Sequence, residues 1–204
     1  MAKTTAASSN TPMWLAIGEA AVLLCAVYLA SVTDLSSGRG QQLFTARCIV
    51  GAASAVGIAR YGPWGMLTDL HFFFRQLANA LPIVVMCLAV LSKTAAGAWA
   101  APLLAREGDV LLAAATAALM AFFTGNETYT KLVQVPAFLA LAGGVCTAVA
   151  AEGLTGPPAL LALGVAIFAV REFGLRAALP LSLADPLRRF TLVAALLTFS
   201  SALA

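Results

Sequence analysis

The residues best suited to chemistry in this 204-residue chain lie inside one of its apolar stretches, Asp69–Leu91. The first half of that stretch carries His71, Arg75, Gln76 and Asn79, ahead of an uninterrupted apolar run from Ala80 to Leu91. At helical spacing His71, Arg75 and Asn79 recur every fourth residue and share one face. Phe72, Phe73, Leu77, Ala80 and Leu81 cover the other faces and suit lipid or packed neighbours. A polar stripe on such a helix must point into a bundle or a wet cavity, because lipid offers its groups no partners. Imidazole titrates near neutrality, so a carboxylate beside His71 would complete a proton relay, and the same stripe would line a path for a polar solute.

Glu19 supplies a carboxylate. It stands about two turns into the first hydrophobic segment, which enters from the same side as the stripe, so Glu19, His71 and Arg75 are expected in one half of the membrane. An unpartnered charge at a helix centre costs about 2.5–3.5 kcal/mol, and a Glu19–Arg75 pair would offset much of this. Pro82 lies less than one turn beyond Asn79 and removes a backbone donor, so a helix break is expected there, with a carbonyl freed beside the polar face.

The elements that must position these groups are membrane spans. The chain is 61% hydrophobic and 10% charged, with mean hydropathy +0.93, whereas a soluble domain carries about 25% charged residues. Its excess apolar surface needs lipid. The expected fold is an all-α integral membrane bundle of about seven helices with short loops. Residues 1–12 form a polar N-terminal tail and residues 13–204 a single transmembrane domain. Its spans are expected at about 13–32, 43–60, 70–91, 110–124, 133–151, 157–175 and 186–204. The segment Ser92–Asp109 reads as surface-lying, and Asp185-Pro186 as the N-cap and first residue of the last span. Small residues let helix backbones approach closely in lipid, which marks Gly51, Ala55 and Gly57 in span 2 and Gly143 and Gly144 in span 5 as packing positions.

The two sides differ in basic residues. The N-terminal side collects Lys3, Arg60, Arg75, Lys131, Arg171, Arg176, Arg188 and Arg189, against Arg39, Arg47, Lys93 and Arg106 opposite, so the N-terminus is expected in the cytoplasm and the C-terminus outside. Arg171, Glu172, Arg188 and Arg189 read as interfacial, snorkelling or touching lipid headgroups. Spans 1–3 and 5–7 show a weak echo, with Leu67-Thr-Asp69 and Leu183-Ala-Asp185 preceding each third span.

Several classes lose support. Cys25, Cys48, Cys87 and Cys146 lie in hydrophobic segments without a CxxC pair, and His71 is the chain's one histidine, so neither a metal site nor any cofactor is expected. A net charge of +3 spread over loops gives no nucleic-acid footprint. No serine stands in a Gly-x-Ser-x-Gly setting, and the last span lacks a lysine for retinal, so an enzyme is disfavoured. The span count and the Leu183-Ala-Asp185 entry resemble seven-helix ceramidase-like hydrolases. That resemblance implies a relative without the zinc site, since those proteins use several histidines. Two functions stand ahead of it: a small transporter or channel-like protein with a polar path along span 3, or a non-catalytic subunit of a larger membrane complex. The expected partners are the lipid bilayer, a small solute, proton or lipid ligand, and a second copy or membrane-complex partner.

Overall fold

Backbone groups in a bilayer core have no water to bond, so long apolar segments must close their hydrogen bonds internally. The computed structural model describes residues 11–62, 67–94 and 97–203, and these are helical apart from short connections. In chain order they form α1 (Thr11–Ser31), α2 (Gly38–Tyr61), α3 (Thr68–Lys93), α4 (Gly97–Ala105), α5 (Glu107–Thr124), α6 (Thr128–Glu152), α7 (Gly156–Ala169), α8 (Leu175–Ala178) and α9 (Leu181–Leu203). A π-helical turn, Val170–Gly174, joins α7 to α8. Six segments are long and apolar enough to cross a membrane: α1, α2, α3, α5, α6, and α7 with its π turn. They mark an integral membrane protein, and large apolar side chains such as Leu24, Tyr28, Leu112, Phe123, Leu139 and Leu163 face outward from them. The seventh expected span, α9, is as long as the others but carries Asp185, Arg188 and Arg189 in its first half.

Neighbouring helices close a ring. α1 packs on α2, α2 on α3, α3 on α6, α6 on α7, α7 on α9, and α9 back on α1, with α5 outside against α3 and α6. α3 is the most enclosed helix. Ile83 through Leu91 are all buried, so this half has no lipid face, as expected of a helix apolar on every side. Its Phe72 and Phe73 rings meet Phe122 of α5, with centroids 6.1 and 5.3 Å apart.

Close approaches set the ring's spacing. A Cβ on Gly164 would fall 3.0 Å from the Phe199 ring, and one on Gly144 would fall 2.7 Å from Leu91 Cδ2. At Gly51 the nearest atoms, on Ala26 and Leu23, would be 3.6 and 3.7 Å away, and at Gly143 the Trp99 ring 3.6 Å, both ordinary contact distances. The buried small-residue face of α2 is Gly51, Ala53, Ser54 and Gly57, whereas Ala55 is exposed and takes no part in the expected contact. Cys48 and Cys146 also face outward, whereas Cys25 and Cys87 are buried.

Other boundaries differ from expectation for local reasons. α9 begins at Leu181, because the Pro180 carbonyl accepts hydrogen bonds of 2.9 Å from the amides of both Leu183 and Ala184, so Asp185 and Pro186 lie inside the helix. Pro82 does not break α3, which continues to Lys93. The segment after α3 contains the nine-residue α4, and α5 starts earlier than expected, at Glu107, whose carboxylate takes a 2.7 Å ion pair from Arg39 of α2. The N-terminal tail through Asn10 lies outside the described residues.

Candidate functional site

α1, α3, α6 and α9 begin, and α2 and α7 end, around a cavity of about 370 Å³ enclosed by the ring. It lies in the half of the bundle where α1 starts. The expected residues Glu19, His71, Arg75, Asn79 and Pro82 all line it. Gln76 does not. Its side chain is fully buried, and neither amide atom has a hydrogen-bond partner among the described residues.

Most of the cavity's charges are held in pairs. Arg189 of α9 donates from Nε to Glu19 Oε1 at 2.9 Å and from Nη1 to the Asp185 carbonyl at 2.7 Å, and its guanidinium lies 5.6 Å from the Tyr61 ring centre. Two glycines make room for this pair. A Cβ on Gly18 would stand 3.0 Å from Arg189 Cβ, and one on Gly57 would stand 2.9 Å from Glu19 Cδ. Arg75 pairs with Glu127 at the N-cap of α6, so the expected Glu19–Arg75 bond is replaced by two bonds to other helices. The substitution is geometric: Arg189 and Glu19 sit at similar depth on adjoining helices, while Arg75 faces α6.

His71 is 2% exposed and accepts a 2.9 Å hydrogen bond at Nδ1 from Arg60 Nη1. A guanidinium has no acceptor, so Nδ1 carries the lone pair and the imidazole is neutral with its proton on Nε2. Tyr61 meets the ring edge-on, with centroids 5.3 Å apart. A proton relay through His71 would have to displace Arg60 first. Asn79 contributes its backbone as well: its carbonyl, three residues before Pro82, accepts from Gln134 Nε2 of α6 at 2.8 Å.

The π turn brings in charges expected at the lipid interface. One extra residue in a helical turn advances the following side chains by about 100°. Here the turn carries Arg171 and Glu172, which pair with each other, while Arg188 of α9 reaches Glu172 at 3.0 Å. Arg171 also donates from Nε to the Arg188 carbonyl at 3.2 Å. All three, together with Arg189, line the cavity. Glu127, Lys131, Gln134 and Asp185, with Ser54, Tyr61 and Thr130, also line it and lie outside the expected polar cluster. α6 starts at Thr128, five residues ahead of the expected Val133, and the added turn brings Lys131 onto the ring; Gln134 lies within the expected span without a polar partner to mark it.

At the other end of the bundle, Arg47 donates to the Leu29 carbonyl at 2.8 Å and to Ser200 Oγ at 2.9 Å. It borders a void of about 20 Å³ that shares Val50, Pro82, Met86 and Leu196 with the main cavity. Those four side chains therefore form an apolar wall between the two spaces. No grouping of His, Cys, Asp and Glu suited to a metal occurs among the described residues. Comparisons with protein families, with curated proteins and with solved structures find no match to this chain.

Proposed function

We propose that this protein is a small transporter or channel-like membrane protein, and that the ring cavity is its solute site. The observation behind this is the cavity itself: about 370 Å³ of space lined by paired charges inside a membrane bundle, within the 300–1,000 Å³ typical of small-molecule sites. Here the groups of six elements converge on open volume. The path would run from the cavity through the Val50, Pro82, Met86 and Leu196 wall to the small void beside Arg47, so this conformation is open at one end and shut at the other. The chain would cross seven times, α9 included, with the cavity mouth on the cytoplasmic side where basic residues are concentrated. His71 serves as a neutral hydrogen-bonding group, with Arg60 fixing its tautomer, so a polar solute is favoured over a proton as cargo.

The test is uptake into proteoliposomes reconstituted with purified protein, screening anionic and neutral organic solutes. Arg75→Ala and Glu19→Gln should abolish uptake while eluting as the wild type does on size exclusion. Variants that fail to accumulate, with a wild type that moves nothing, would instead make the network structural.

A further inference from the structure

The cavity changes character at one depth on five of its six elements. Moving inward from the mouth, Glu19 is followed by Val22 on α1, Ser54 by Val50 on α2, Asn79 by Ile83 and Met86 on α3, Arg171 by Phe168 on α7, and Arg189 by Leu192 and Leu196 on α9. α6 contributes polar residues at the mouth alone. At 1.5 Å per residue, Arg75 and Met86 are about 16 Å apart along α3. A hydrophilic solute would leave the deep half unsatisfied, and a hydrocarbon would leave the mouth so.

The mouth also has a sign. Five cations and four carboxylates line the cavity, counting Arg75, Lys131, Arg171, Arg188 and Arg189 against Glu19, Glu127, Glu172 and Asp185. Lys131 lines it with no side-chain partner among the described residues. Arg60, behind His71, bonds that neutral ring and, among the described residues, no carboxylate. Arg75 keeps its buried Nε without an acceptor although Glu127 takes another of its nitrogens. Positive charge and unused donors thus remain after the carboxylates are paired, and such donors are matched by an oxyanion, phosphate or carboxylate.

We infer that the cavity takes an amphiphilic anion, with its oxyanion head between Arg75 and Lys131 at the mouth and its apolar chain against Ile83, Met86 and Leu196. This rests on the cavity being a solute site, and it names the class of solute.

Binding tests it separately from transport. Full-length protein in a neutral detergent is heated with octyl phosphate, with inorganic phosphate, or with octyltrimethylammonium, and the unfolding midpoint is followed. Octyl phosphate should raise the midpoint saturably, inorganic phosphate should do so only at about tenfold higher concentration or more, and the ammonium compound should not. Lys131→Gln, an exposed position, should weaken octyl phosphate about tenfold, the effect of losing one charge-assisted contact. Met86→Gln should weaken octyl phosphate and leave inorganic phosphate unchanged. Equal shifts from the two phosphates would overturn the apolar half of the assignment and point to a free oxyanion. A shift from the ammonium compound, or none from any probe, would overturn the whole. If octyl phosphate binds while proteoliposomes move nothing, transport falls and the ligand class stands.

Discussion

Single side chains in this protein show how a polar network survives in an apolar setting. Buried charge is tolerated where each group meets its counter-ion, and Glu19 with Arg189 depends on a missing Cβ at Gly57 to do so. Gly57→Ala would place a methyl 2.9 Å from the Glu19 carboxyl carbon. Glu19 Cγ would be equally close, so the side chain must turn away and leave a buried carboxylate without Arg189, and this variant should unfold at a clearly lower thermal midpoint than wild type. It should also lose most uptake per folded molecule, because Glu19 leaves Arg189. An unchanged transport rate would show that the pair does not shape the site. Gln76 is the opposite case, a buried amide with both atoms unpartnered among the described residues. Replacing it by leucine of similar bulk removes that desolvation penalty, and Gln76→Leu should stabilise the protein by about 1–2 kcal/mol in a denaturant titration. Destabilisation would mean that the amide holds a group the chain itself does not supply.

At the scale of elements, the helices were legible in the sequence and their mutual arrangement was not. Apolar length gives the spans directly, since lipid permits only helices or closed barrels, and the stripe of His71, Arg75 and Asn79 does line the cavity. Pairing partners depend on which helices adjoin, and nothing in the spacing of Arg75 reveals that α6 rather than α1 stands opposite. Arg171 and Glu172 read as interfacial although a π turn carries them, and Arg188 and Arg189 do so because Asp185-Pro186 reads as the start of α9, four residues past its observed start at Leu181. The same limit applies to glycine. Gly51 reads as a small-residue contact between spans, yet the tight approach is at Gly164, outside the expected packing positions, with the Phe199 ring 3.0 Å from a built Cβ. Gly164→Ala should therefore cost about 1–3 kcal/mol through displacement of a buried ring, whereas Gly51→Ala should be close to neutral. Comparing their unfolding midpoints checks the pair, and equal costs would mean that α7 and α9 are not packed as described.

The whole molecule turns on whether α9 crosses the bilayer. Its Asp185, Arg188 and Arg189 lower its apolar character, but all three line the cavity instead of facing lipid, so their charges do not count against insertion as exposed ones would. Leu181–Leu203 spans about 34 Å at 1.5 Å per residue, enough for a hydrocarbon core of about 30 Å. Bonds at each end hold it in place. Arg189 meets Glu19 near the start of α1, while Ser200 accepts from Arg47 and the Leu203 carbonyl accepts from Lys93, both near the opposite end of the ring. These ties at both ends of the bundle are the ground for the seventh crossing proposed above. In a background with Cys25, Cys48, Cys87 and Cys146 replaced, single cysteines at the exposed positions Lys131, Arg106 and Ser201 report the sides through a membrane-impermeant maleimide. In intact cells, Arg106→Cys and Ser201→Cys should label, and Lys131→Cys should label only after the membrane is opened. Labelling of Ser201→Cys together with Lys131→Cys would put α9 back on the mouth side and leave the ring with six crossings. Reversal of all three would keep seven crossings but place the cavity mouth outside the cell, so a ligand would enter from the medium.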